Sequence, residues 1–245
     1  MFFTKICFLI TMYFLNIKEI NMNNSSFPNY TTPSIHNPEL ISFAKSINSG
    51  DLITTPHSID LLPIGNCYWN VEWLVQNQGG GVVYGWIFSE WKGLMLEAMH
   101  HAVWISPNNQ LIDITQNYPS MSETHSIFLP DPSSSLLTLD VQPNILNKVK
   151  LLSNSQELID FNNLQDKKIE ILRELNQIFY DLGHRCEAQR SKITGKPFDF
   201  SPNMSKATND QLDKIKKLTT EINQIELVCG QYIPRLNKLS HDSDH

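Results

Sequence analysis

Cysteine is scarce in this chain. Its 245 residues carry four, Cys7, Cys67, Cys186 and Cys229, and none belongs to a C-x-x-C pair. Such irregular spacing argues against a disulfide framework. It argues against zinc too, because His184, Cys186 and Cys229 lack a fourth ligand, so no metal is expected. Basic residues are outnumbered, 19 against 25 acidic ones, for a net charge of −6. A chain of that balance is poorly suited to neutralising a phosphate backbone, so no nucleic-acid partner is expected. Internal repeats and the glycine patterns of nucleotide-binding loops are missing, and no cofactor is expected.

Long apolar runs are missing as well. The opening stretch "MFFTKICFLITMYFLNI" has one lysine and then an apolar run from Ile6 to Leu15. That is well short of the roughly 20 residues a membrane span needs, so no stable span is expected. The stretch matches the first two regions of a secretory signal, but "NIKEINMNNSS" supplies no small-x-small cleavage site. A start at Met22 is the other reading, which leaves both a cytoplasmic and a secreted protein open. Residues 1–21 are set apart from the fold on either reading.

What the sequence does contain is concentrated. All five tryptophans, Trp69, Trp73, Trp86, Trp91 and Trp104, fall between Cys67 and Trp104, with Gly79, Gly80, Gly81, Gly85 and Gly93 among them. Large rigid side chains separated by tight turns mark a compact core. Cys67, Val71, Leu74 and Val75 recur at helical spacing, with Asn66 as N-cap and the glycine triplet as the stop. "GVVYGWIFSEW", "LMLEAMHHAVWIS" and "QLIDIT" then read as antiparallel strands, the last two a hairpin across Pro107–Asn109. The chain divides into a lead-in with a short helix (22–57), this core (58–130) and a helical extension (131–245). In the extension, Leu172, Leu175, Phe179 and Leu182 form one apolar stripe, and Ile215, Leu218, Ile222 and Ile225 a second behind a cap at Thr208–Asp210. The resulting helical hairpin either offers its stripes to a protein partner or packs them on itself or on the sheet. The fold class is α+β.

Cys67 stands where a helix begins, the position at which unpaired N–H groups and the helix dipole favour a thiolate. Thiol catalysis also needs an imidazole to hold the proton and a carboxylate to orient it. His100 and His101 are the candidate bases; neighbours on a strand face opposite sides, so one of the two reaches the helix. Asp113, flanked by Ile112 and Ile114, is costly to bury without a partner. The hairpin brings it within a residue or two of His101 in register. Asn66 and the Cys67 backbone N–H are candidate oxyanion donors, and His100, Trp86 and Trp104 are candidates to line or shield the cleft.

Two segments carry a resemblance. "GNCYWNV" resembles the nucleophile segment of papain-like peptidases and transglutaminases, and "HAVWISPNNQLIDIT" resembles the transglutaminase histidine strand, turn and Asp-x-Thr strand. The likeness spans about residues 61–118. It implies a papain/transglutaminase-like core, with a Cys-bearing helix followed by an antiparallel sheet. It also implies Cys67 as nucleophile, His101 as acid/base and Asp113 as orienting carboxylate. The implied activity is acyl transfer through a thioester on a protein or peptide-like amide: hydrolysis, deamidation or cross-linking. The alternative is a non-catalytic relative that acts as an interaction module through its helical hairpin.

Overall fold

The computed structural model describes residues 27–242, apart from 119–120, 123, 137, 187–194 and 196–201. The N-terminal stretch set apart above, and most of the polar segment between the two long helices, lie outside the described residues. Helices and strands are mixed, and four α-helices are described. The elements run β1 (Tyr30–Thr31), α1 (Pro38–Ile47), β2 (Ile53–Leu62), α2 (Cys67–Gln78), β3 (Gly81–Trp91) and β4 (Met95–Ile105). They continue with β5 (Leu111–Thr115), β6 (His125–Pro130), β7 (Lys148–Leu151), α3 (Gln156–Asp181) and α4 (Asn209–Asp242).

The sheet closes on itself. β3 pairs with β6, β6 with β2, β2 with β5, β5 with β4 and β4 back with β3, which makes a five-stranded barrel. Every contact in the ring is antiparallel except β2–β5, which is parallel. The β3–β4 ladder is the longest, running from Gly81↔Ile105 to Trp91↔Met95. Only part of it belongs to the barrel. Toward its Trp91–Met95 end it is flanked by β1 and β7. Sequence periodicity locates β3, β4 and β5, but not β2, which spans the 57/58 division, nor β6. Each of these carries a proline within a short apolar or polar segment, and proline weakens the strand signal.

Gly85 permits the closure. A Cβ there would collide with the Leu129 carbonyl oxygen and come within 2.7 Å of the Phe128 ring, so only glycine lets β3 lie this close to β6.

Both early helices lie outside the barrel. Leu40, Phe43 and Ala44 of α1 pack with Trp86, Phe88, Leu96, Ala98, Ile127 and Leu129. Tyr68, Trp69, Val71 and Leu74 of α2 pack with Ala102, Trp104 and Ile114. Side chains alternate along a strand, so the opposite faces, with Ile87, His101, Val103, Asp113, Ser126 and Phe128, point inward. All six are buried.

α3 and α4 form the helical hairpin expected from their two stripes. Leu175, Phe179, Leu182, Ile215, Leu218, Ile222 and Ile225 are buried in one cluster that also takes in Trp91, Leu94 and Met95. The stripes are therefore spent on each other and on the outer end of the β3–β4 ladder. Thr208 and Gln211 form a reciprocal cap at the start of α4: Thr208 Oγ1 accepts from the Gln211 N–H and Gln211 Oε1 from the Thr208 N–H. Ion pairs Arg235–Glu157, Lys168–Glu226, Lys167–Glu221 and Lys214–Glu174 bridge the two helices on their wet side.

Candidate active site

Four elements of the barrel and one helix meet at the site. β4 and β5 bond each other only at Trp104↔Ile112 and Ile105↔Leu111, next to the Ser106–Gln110 turn where Asn109 takes φ +60. β5 then turns to β2, with His57↔Asp113 in register. The first turn of α2 meets the strands at that parting. Asn70, fully buried, holds it there by donating to Thr115 Oγ1 (2.9 Å) and to the Pro63 carbonyl (3.0 Å).

The structure brings Cys67, His101 and Asp113 together. His101 Nε2 lies 3.0 and 3.1 Å from the two oxygens of Asp113. Cys67 is the imidazole's other neighbour and favours its protonated form; with Nε2 on the carboxylate, Nδ1 is the nitrogen left to face the thiol. Burial pushes the His101 imidazole toward its neutral form, but Asp113, with Cys67 beside it, outweighs this and holds its pKa well above the usual value. Burial likewise raises Asp113, and here too the partners win: His101, Ser126 and the Thr115 N–H hold it below the ordinary carboxylate range. Cys67 itself is half-buried, between the enclosed His101 and the surface.

His100 points the other way. Its ring stacks on Tyr84 (6.1 Å, 14°) and meets the edge of Trp86 (5.3 Å, 81°). Tyr68 Oη lies 2.8 Å from His100 Nδ1 and donates to the His100 carbonyl at 3.2 Å. The Ser134 backbone is a further neighbour of the ring and favours its protonated form. Burial lowers the His100 pKa to about 4, leaving the ring neutral at pH 7. Its place is to anchor Tyr68, the residue after Cys67, against the sheet.

The remaining sequence candidates occupy different roles from those expected. Asn66 sits at the N-cap position, but its side chain makes no cap; its Nδ2 donates instead to the Ile64 carbonyl at 2.9 Å. The first backbone bond of α2 is Asn70 N–H to Asn66 O, so the N–H groups of Cys67, Tyr68 and Trp69 have no helical acceptor. Trp86 donates to Asp131 Oδ2 (2.9 Å) and packs under α1, away from the thiol. Trp104 donates to the Gly79 carbonyl at the far end of α2. A helix of 12 residues rises about 18 Å, so that indole is no shield for Cys67.

Sequence reasoning missed Ser126, Thr115, Asn117 and His57. Ser126 Oγ donates to Asp113 Oδ2 at 2.8 Å, and the Thr115 N–H donates to Oδ1 at 3.1 Å. Ser126 and His57 come from β6 and β2, strands that only barrel closure brings near β5. Among the described residues, no three His, Cys, Asp or Glu side chains are grouped to hold a metal ion. None of the described helices is long and apolar enough to cross a membrane. In comparisons with known proteins the chain matches no family model, no curated protein and no solved structure.

Proposed function

We infer that this chain is a thiol-dependent acyl-transfer enzyme acting on a protein or peptide-like amide, built on a papain/transglutaminase-like core. The observation that carries the reading is His101 held between Cys67 and a buried, ionised Asp113. A carboxylate that raises the proton affinity of the imidazole favours transfer of the thiol proton to it.

In the acylation step the Cys67 sulfur attacks the carbonyl carbon and forms a C–S bond. The carbonyl oxygen gains the negative charge, and the unpaired N–H groups at the start of α2 are its nearest supply of donors. As the C–N bond breaks, His101 gives its proton to the leaving amine. Water or a second amine then attacks the thioester while His101 takes up a proton, and the thiolate leaves. Water yields hydrolysis or deamidation, and an amine yields a cross-link. Asp113 keeps its charge throughout and holds the ring orientation. No cofactor enters this scheme.

A thiol-directed acyl probe tests the reading. The intact protein should gain one acyl group, mapped to Cys67, and Cys67→Ala should gain none. Acylation spread over several nucleophiles, or unchanged in Cys67→Ala, would remove the basis for it.

A further inference from the structure

Behind Asp113 the polar contacts continue to a second imidazole. His57 Nε2 lies 2.8 Å from Ser126 Oγ, the hydroxyl bonded to Asp113 Oδ2. Asn117 Nδ2 lies 3.2 Å from both Ser126 Oγ and His57 Nε2. The backbone fixes the geometry: His57 is the parallel partner of Asp113, and its N–H donates to the Thr124 carbonyl at 2.9 Å.

Counting protons gives each bond a direction. Ionised Asp113 only accepts, so the single Ser126 proton goes to it. Ser126 Oγ then has only lone pairs left to offer, and His57 Nε2 must bring an N–H. His57 Nδ1 is buried and has no partner. As a lone pair it costs little; as an N–H it would be an orphaned buried donor. Both requirements select the same tautomer, Nε2–H. Asn117 supplies a second N–H to Ser126, and its approach to His57 is a contact between two donors.

We propose that His57 and Ser126 are positioning residues of the Cys67–His101 pair, acting through Asp113. His57 and Asn117 fill the lone pairs of Ser126, so the hydroxyl can point only at Asp113. Ser126 and the Thr115 N–H then fix the carboxylate from behind, leaving its two oxygens square to His101 Nε2. A hydroxyl that accepts two bonds is also a stronger donor. The chain of contact runs Cys67, His101, Asp113, Ser126, His57, through four strands and a helix that neighbour one another only in the closed barrel. This inference rests on reading Cys67–His101 as the reactive pair.

The test has one arm that needs no chemistry at the thiol. Nitrogen-15 NMR of histidine-labelled wild-type protein should show the His57 ring proton on Nε2. The downfield proton on His101 Nε2 should move in Ser126→Ala and in His57→Leu, and return in His57→Gln, whose amide restores an N–H donor. The second arm is alkylation of Cys67 by iodoacetamide. It should slow by about two- to tenfold in Ser126→Ala and His57→Leu, the scale of one hydrogen bond, and recover in His57→Gln. An Nδ1–H tautomer in the wild type, or a His101 proton indifferent to all three substitutions, overturns the inference. A Cys67 that fails to react in the wild type, with both NMR results as expected, overturns the functional reading and leaves the positioning geometry standing.

Discussion

His101 and Asp113 meet at 3.0 Å just past the point where their strands stop pairing. The hairpin turn sets them near one another, and the departure of β5 toward β2 opens the gap that the first turn of α2 fills. The pair, and the thiol beside it, are products of that divergence.

The pair makes a prediction about stability and pH. His101 has a raised pKa in the fold, so its contribution is complete below its usual 6.5 and fades as pH climbs through the raised value. Asp113 has a lowered one, so its contribution is complete above the usual 3.8 and fades as pH drops through the lowered value. Between 3.8 and 6.5 both are at full strength. Asp113→Asn should therefore lose about 3 kcal/mol there, the scale of breaking a buried pair, and less in alkali. Urea unfolding of both proteins from pH 4 to pH 10 measures the gap; a gap independent of pH contradicts the assignment.

His100 gives the opposite slope. The unfolded chain binds a proton at 6.5 and the folded one only at about 4, so stability falls as pH drops through that interval. The loss is of order 3 kcal/mol. His100→Asn should be less stable at pH 7 yet flatter between pH 6.5 and 4.5. Parallel curves for the two proteins would show that the ring titrates normally.

Barrel closure can be probed at Gly85. Gly85→Ala forces the new methyl against the Leu129 carbonyl and should cost about 2 kcal/mol or more. Gly230→Ala, in α4 with nothing within 4 Å of the added carbon, should gain roughly 0.5–1 kcal/mol. Thermal melts of the two variants should move in opposite directions.

The helical hairpin is predicted to be an integral part of the core. Ile222 is fully buried where α3, α4 and the β3–β4 ladder meet, whereas Leu227 on the same helix is 67% exposed. Ile222→Ala should cost about 2–4 kcal/mol and Leu227→Ala under about 0.5 kcal/mol. Denaturation of the two variants by guanidinium tests this, and equal small effects would mean that the hairpin folds apart from the barrel.

Local pattern made part of this molecule legible. The helix from Cys67, the hairpin around Pro107–Asn109 and the stripes of α3 and α4 all show in the periodicity, because each repeats an apolar side chain at a fixed interval. The proximity of His101 to Asp113 followed from hairpin register alone. β2 was not legible: "ITTPHSIDLL" alternates poorly, carries Pro56 and leaves Ile59 wholly exposed. Without β2 the barrel cannot be inferred, and without the barrel nothing ties Ser126 or His57 to Asp113. Trp86 and Trp104 read as shields for the thiol, but their place in the chain does not say which way each indole points. Their N–H groups are instead committed to Asp131 and to Gly79.

On the proposed function, His101 activates Cys67. The most direct measurement is the rate of iodoacetamide alkylation at Cys67, followed by peptide mass at pH 6, in the wild type and in His101→Ala. Removing His101 should slow alkylation by about tenfold or more. Equal rates in the two proteins would contradict it.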